Sequence, residues 1–131
     1  MAGPIDEVLA FLGEWKTVPE MRASFLRRFT PETVWENVGA ARTVGGEEAV
    51  ALLDALNAGA GIVSGEVVVH NIAAAGNVVH TERTDIFYRA DGSLVASIRV
   101  MGILEMDGPT ILGWREYFDP RGLMDGDQAA G

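Results

Sequence analysis

Apolar residues recur along this chain at two periods, and the change from one to the other divides it. Over roughly the first half they fall three and four apart. Val8, Leu9, Leu12 and Trp15 repeat at helical spacing behind Pro4 and Asp6, which suit a helix start. Pro19 and Glu20 open a second short helix. Its apolar stripe is Met21, Phe25, Leu26 and Phe29, and Arg22, Arg27 and Arg28 are assigned to its solvated face. Thr33–Val38 reads as a short strand, with Trp35 and Asn37 on one face, and Gly39–Thr43 as a loop. After the Gly45-Gly46 breaker, Glu47 and Glu48 sit where a helix N-terminus favours acids. Ala49, Val50, Leu52, Leu53 and Leu56 continue as a short apolar helix that the Asn57–Gly61 run ends.

Beyond that run the period drops to two. Strands are predicted over 62–74, 78–89, 94–106 and 110–119, joined by turns at Ala75-Gly76-Asn77, Ala90–Ser93 and Asp107-Gly108-Pro109. Helices followed by an antiparallel meander give an α+β class: a curved sheet closed on one side by N-terminal helices to make a cup. One domain is expected over 1–124, with a polar tail over 125–131.

Alternation places Val79, Thr81, Arg83, Asp85 and Phe87 on one side of the second meander strand, an Arg and an Asp between apolar ends. Leu112, Trp114, Glu116 and Phe118 share a side of the last strand. If those faces meet solvent, the charges are ordinary cross-strand pairs of little energetic consequence. If they meet a common cavity, two carboxyls bridged by one guanidinium are candidates for acid–base chemistry. Phe87, Ile98, Val100, Trp114, Phe118, Leu56 and Val67 would then shape a pocket for a small hydrophobic molecule.

Composition narrows the partners. The chain has 131 residues, is 48% hydrophobic and carries a formal net charge of −9, which disfavours nucleic acid and anionic membrane. It has no cysteine, so disulfides and thiolate zinc sites are excluded. His70 and His80 fall on the face opposite Arg83 with no acidic pair at ligand spacing, so no metal is expected. The Gly-rich run at 57–61 follows a helix and lacks a Walker Lys-Ser/Thr pair, so it is no phosphate cradle. Without a signal-peptide pattern or a membrane-spanning run, a cytoplasmic protein is expected.

Three segments carry a resemblance: Thr33-Val34-Trp35-Glu36-Asn37, Thr81-Glu82-Arg83-Thr84-Asp85 and Gly113-Trp114-Arg115-Glu116-Tyr117-Phe118-Asp119. In order and spacing the chain, from about the first helix to Leu123, resembles the limonene-1,2-epoxide hydrolase family of the cone-shaped NTF2-like and SnoaL-like superfamily. The resemblance implies a mechanism without metal, organic cofactor or covalent ester. An aspartate at the position of Glu116 acts as general base on a water, which a Tyr and an Asn at the positions of Trp35 and Asn37 help to hold. An aspartic acid at the position of Asp85 protonates the epoxide oxygen, and an arginine at that of Arg83 bridges the carboxyls. It also implies a homodimer, for which Arg115 and Tyr117 point away from the cup.

Glu116 and Trp35 depart from this pattern, which has Asp and Tyr there. The loop Gly39-Ala40-Ala41-Arg42 lacks the Pro-rich character associated with the limonene enzyme. Two alternatives therefore stay open on the same cup. One is a ketosteroid-isomerase-like or polyketide-cyclase-like enzyme in which Glu116 takes a carbon-bound proton. The other is a small-molecule-binding protein without catalysis.

Overall fold

A computed structural model describes residues 2–119 and 121; the expected tail lies outside them. Three helices precede or interrupt a six-stranded sheet: α1 (Pro4–Leu12), α2 (Val18–Arg28), β1 (Phe29–Asn37), β2 (Ala41–Val44), α3 (Gly46–Ala60), β3 (Ser64–Ala75), β4 (Val78–Tyr88), β5 (Leu94–Asp107) and β6 (Thr110–Tyr117). The sheet order is β2-β1-β6-β5-β4-β3. The expected meander β3–β6 is antiparallel throughout. β1 joins it parallel to β6, so the sheet is mixed.

Local chemistry accounts for the helix ends. Pro4 stands in the first turn of α1, where its missing N–H costs nothing. Thr17 caps α2 by accepting a hydrogen bond from the Glu20 amide at 3.3 Å. α3 runs three residues past Asn57 and ends at Gly61, whose φ of +73° is the left-handed cap conformation that glycine adopts without strain. Asn57 is thus inside the helix, and of the run expected to end it only Gly61 does so.

Four further expectations are corrected. The Gly39–Thr43 loop is a hairpin turn followed by β2, which pairs antiparallel with β1 through Trp35↔Thr43 and its neighbours. Leu26 is exposed and has no place in the α2 core stripe. Arg28 is buried rather than solvated: its guanidinium binds Glu14 through both carboxylate oxygens at 2.9 Å and donates to the Pro109 carbonyl at 3.0 Å. Leu112 faces outward and Ile111 inward. Pairing steps from Glu105↔Gly113 to Met106↔Ile111, and this irregularity reverses the alternation between Leu112 and Trp114.

The helices lie against one face of the sheet. The core between them is aromatic-rich, with Phe11, Trp15, Phe25, Phe29, Trp35 and Trp114 in mutual contact. A second cluster, Val95, Ala96, Ile98 and Val100 with Ile62, Phe87 and Phe118 against it, sits toward the far end of the meander. Between the two clusters the inner face carries its charges. Among the described residues no helix is long and apolar enough to cross a membrane.

Candidate active site

Register brings the site together. Thr81 on β4 pairs with Gly102 on β5, Gly102 with Glu116 on β6, and Glu116 with Asn37 on β1. These four positions form one row across four strands. Arg83 and Asp85 follow at the next inward positions of β4, opposite Val100 and Ile98. A parallel β1–β6 pair sets Trp35 beside Trp114 and Asn37 beside Glu116.

Arg83 is the hub and is 0% exposed. Its Nε and Nη2 donate to the two oxygens of Asp85 at 2.9 and 3.0 Å. Nη2 also donates to Glu116 Oε1, and Nη1 donates to Thr81 Oγ1 at 3.0 Å. The Thr81 hydroxyl spends its own proton on the Gly102 carbonyl at 3.0 Å, which aims its lone pair at Arg83. The Trp15 ring covers the guanidinium carbon at 5.5 Å. The pairing crosses β5 because residue 102 has no side chain. A Cβ there would stand 2.3 Å from both Arg83 Nη1 and Glu116 Oε2.

Burial sets the electrostatics. Desolvation pushes the Glu116 carboxyl up to about 7, against the opposing pull of the Arg83 charge and hydrogen bond, with the Asp85 charge adding to the rise. Burial alone would lower Arg83, but the Glu116 and Asp85 charges outweigh it and hold the guanidinium above its ordinary value. Glu116 Oε2 has no hydrogen-bond partner in the protein. Two carboxyls face one fixed cation, so with both ionised the cluster carries one negative charge in excess.

These groups open onto a cavity of about 630 Å³, counting the space at its mouth. Its wall includes Asn37, Asp85 and Glu116 together with Trp35, Trp114, Phe87, Ile98, Val100, Phe118 and Leu56. The expected pocket residues are therefore assembled, with one exception. Val67 lies in a separate groove between α1 and β3, beside Leu9, Leu12 and Val69. It pairs with Asp85 across β3–β4, but α1 packs over it and the cavity lies further along the sheet.

Trp35 stacks on Trp114 with ring centroids 5.0 Å apart and planes 13° apart, and its edge meets Phe25. It is wall and core at once. Its indole N–H, like that of Trp15, finds no acceptor in the protein. On the outer face His70 and His80 are exposed, and Arg115 pairs with Glu105 at 2.9 Å. Among the described residues no three His, Asp or Glu side chains converge as a metal ion would require.

Sequence reasoning missed three residues here. Thr81 lies on the right face but is unassigned, Gly102 carries no signal by itself, and Asn57 is read only as the first residue of the run that ends the helix. Asn57 had a legible sign: it falls four residues after Leu53, on the inward face of α3.

The model of the limonene-1,2-epoxide hydrolase catalytic domain matches residues 4–128 of the chain. The chain belongs to that family. It is 39% identical over 95 residues to epoxide hydrolase EphG of Mycobacterium tuberculosis, a match covering 72% of this chain and 60% of the relative's length. The structure of an M. tuberculosis LEH-like epoxide hydrolase superposes with a TM-score of 0.75 at 32% identity, over 97% of this chain and 91% of that one. A protein of ketosteroid isomerase-like fold from Catenulispora acidiphila DSM 44928 reaches a TM-score of 0.71 at 14% identity, covering 97% of this chain and 95% of that one. At such identity this likeness is one of fold. The α+β cone expected from sequence, a mixed sheet closed by helices, is the observed architecture of this family member.

Proposed function

We propose that this family member is an epoxide hydrolase that adds water to an apolar epoxide and releases a vicinal diol. The observation that carries the reading is the buried bridge in which Arg83 holds Asp85 and Glu116 at the wall of one apolar cavity. Membership of the family and the likeness to EphG support it.

Epoxide opening needs a better nucleophile than water and a better leaving group than alkoxide. One carboxyl pair supplies both if it holds a single proton. Glu116 takes a proton from a water that Asn37, its neighbour in register, helps to hold. The water oxygen forms a bond to an epoxide carbon, the ring C–O bond breaks, and Asp85 delivers a proton to the departing oxygen. One water is consumed, and the pair's proton has moved from Asp85 to Glu116 and returns before the next turnover. In the free protein burial favours Glu116 as the holder. An epoxide oxygen presented to Asp85 rewards the proton on that side, because only the protonated acid can donate to it.

Two substitutions relative to the family pattern act on the water. Glu116 reaches about 1.3–1.5 Å further than Asp would. Trp35 offers an N–H but no acceptor. Arg83 draws Glu116 along the row toward Gly102, where the space a Cβ would fill takes up the longer side chain. The deciding experiment is turnover of an epoxide panel in ¹⁸O-labelled water. One labelled oxygen should appear in the diol, and Asp85→Asn and Glu116→Gln should each abolish product. Diol formation that survives both substitutions overturns the reading. Proton exchange into an enolisable ketone without any diol would favour the isomerase-like alternative.

A further inference from the structure

Among the described residues, Asn57 is the one polar side chain of the cavity wall contributed by a helix. It is 7% exposed, on the inward face of α3 with Leu53, and shares the wall with Leu53, Leu56 and Ile62. Its backbone carbonyl is occupied by the amides of Gly61 and Ile62 at the helix end. Its side-chain Nδ2 is buried and has no acceptor in the protein. Buried amide donors are nearly always paired, and leaving one unpaired is costly. A side chain of this volume without the amide would pack better against Leu53 and Leu56. An idle donor in an apolar wall is what a site prepared for an acceptor looks like.

The geometry points to Asn57 as a second polar anchor, so that the substrate is an uncharged apolar epoxide carrying a carbonyl oxygen away from the ring. This deepens the hydrolase reading and rests on it for the epoxide group. Asp85, Glu116 and Asn37 engage the ring and the water, and Asn57 Nδ2 donates to the remote oxygen. A carboxylate in that role is excluded by charge. The cavity already holds two carboxyls against one guanidinium, and the chain as a whole carries −9. A ketone or ester presents the acceptor without the repulsion.

The test compares two cyclohexene oxides bearing the same short alkyl chain, one of them with a ketone in that chain. Binding is read from quenching of the protein's tryptophan fluorescence in the Asp85→Asn variant, so that it does not depend on turnover. Hydrolysis is read separately in the native protein. The keto epoxide should bind about five-fold tighter than the parent, the gain of one neutral hydrogen bond. Adding Asn57→Leu should remove that preference, so that the two epoxides bind alike. Asn57→Met replaces Asn57→Leu if circular dichroism shows that the latter does not fold. Equal affinity for the two epoxides, or a preference that persists in the Asn57 variant, overturns the inference. Hydrolysis of both epoxides without discrimination overturns the anchor and leaves the hydrolase reading. Discrimination without hydrolysis overturns the hydrolase reading and leaves Asn57 as a carbonyl-binding group.

Discussion

Gly102 lies beneath the Arg83 guanidinium, close enough that a Cβ on it would stand 2.3 Å from Nη1. Two charged side chains from β4 and β6 meet across an intervening strand because that strand offers no side chain at the crossing. The missing atom makes one site out of two carboxyls that the sequence places more than thirty residues apart.

Gly102→Ala should therefore break the bridge without adding polarity. Arg83 is boxed in by Thr81, Asp85 and Trp15, so Glu116 must yield. Displacement of about 1 Å in a catalytic group costs on the order of 100-fold, and kcat/KM for epoxide hydrolysis should fall by at least that much. Gly59→Ala is the control. Gly59 is helical with open space around it, so alanine there should leave activity unchanged and raise stability by roughly 0.5–1 kcal/mol in thermal unfolding. Full activity in Gly102→Ala would show that the bridge is not needed.

Asp85→Asn and Glu116→Gln keep the shape of each side chain and remove its ability to exchange a proton. Each should lower kcat by roughly 100- to 10,000-fold in steady-state assays, the span of general acid–base catalysis. Arg83→Lys should be nearly as damaging. A single ammonium cannot reproduce the fork by which Arg83 binds Asp85 through two nitrogens while reaching Glu116.

The proposed mechanism runs on one proton shared between the carboxyls, and desolvation pushes Glu116 up to about 7. Above that value the last proton leaves and no acid remains for the alkoxide. The rate constant kcat/KM should thus fall as pH rises through about 7, with a slope of one in a log plot. A flat profile to pH 9 would contradict a shared proton.

The same shift reaches stability. Glu116 binds its proton more tightly folded than unfolded, where its value is near 4.5. Its contribution is fully present below about 4.5 and is lost as pH rises through about 7, a change of about 3 kcal/mol at 1.36 kcal/mol per unit. The stability of Glu116→Gln relative to the native protein should rise over that window in urea titrations.

Glu14 behaves oppositely. Burial raises its carboxyl, but the Arg28 and Ser24 hydrogen bonds and the Arg28 charge outweigh that and hold it below its ordinary value. Its contribution is present above the unfolded value and lost as pH falls through the folded one. Arg28 links α2 to the segment after α1 and to the β5–β6 turn. Arg28→Met should lower the melting temperature at neutral pH, and by less in acid as Glu14 protonates. An equal loss at every pH would place the effect in packing against Phe11 rather than in the ion pair.

The cup and its inward-facing charges were legible because both are written in local periods. Alternation placed Thr81, Arg83 and Asp85 on the inner face of β4, and the structure leaves them there. It failed at Leu112, where pairing slips and the faces exchange. Helical spacing found α2 but set Arg28 in solvent, because the carboxylate that receives it comes from Glu14 on another segment. Val67 is inward-facing as expected and still misses the cavity, since α1 covers it first.

By itself the sequence determined the order of helices and of every strand but β2, the class of the fold, the family, and which charged residues of β4 and β6 share an inner face. Each follows from side-chain spacing along a single element or from its motifs. Where the two N-terminal strands join the meander was decided only in three dimensions, through the parallel entry of β1 beside β6 and the pairing of β2 with β1. That step sets Asn37 against Glu116, while the seating of β5 between β4 and β6 makes Gly102 the crossing point for Arg83 and α3 brings Asn57 over the same cavity. A strand's partners and a helix's landing place depend on how distant apolar faces bury one another, and no period within one segment records that.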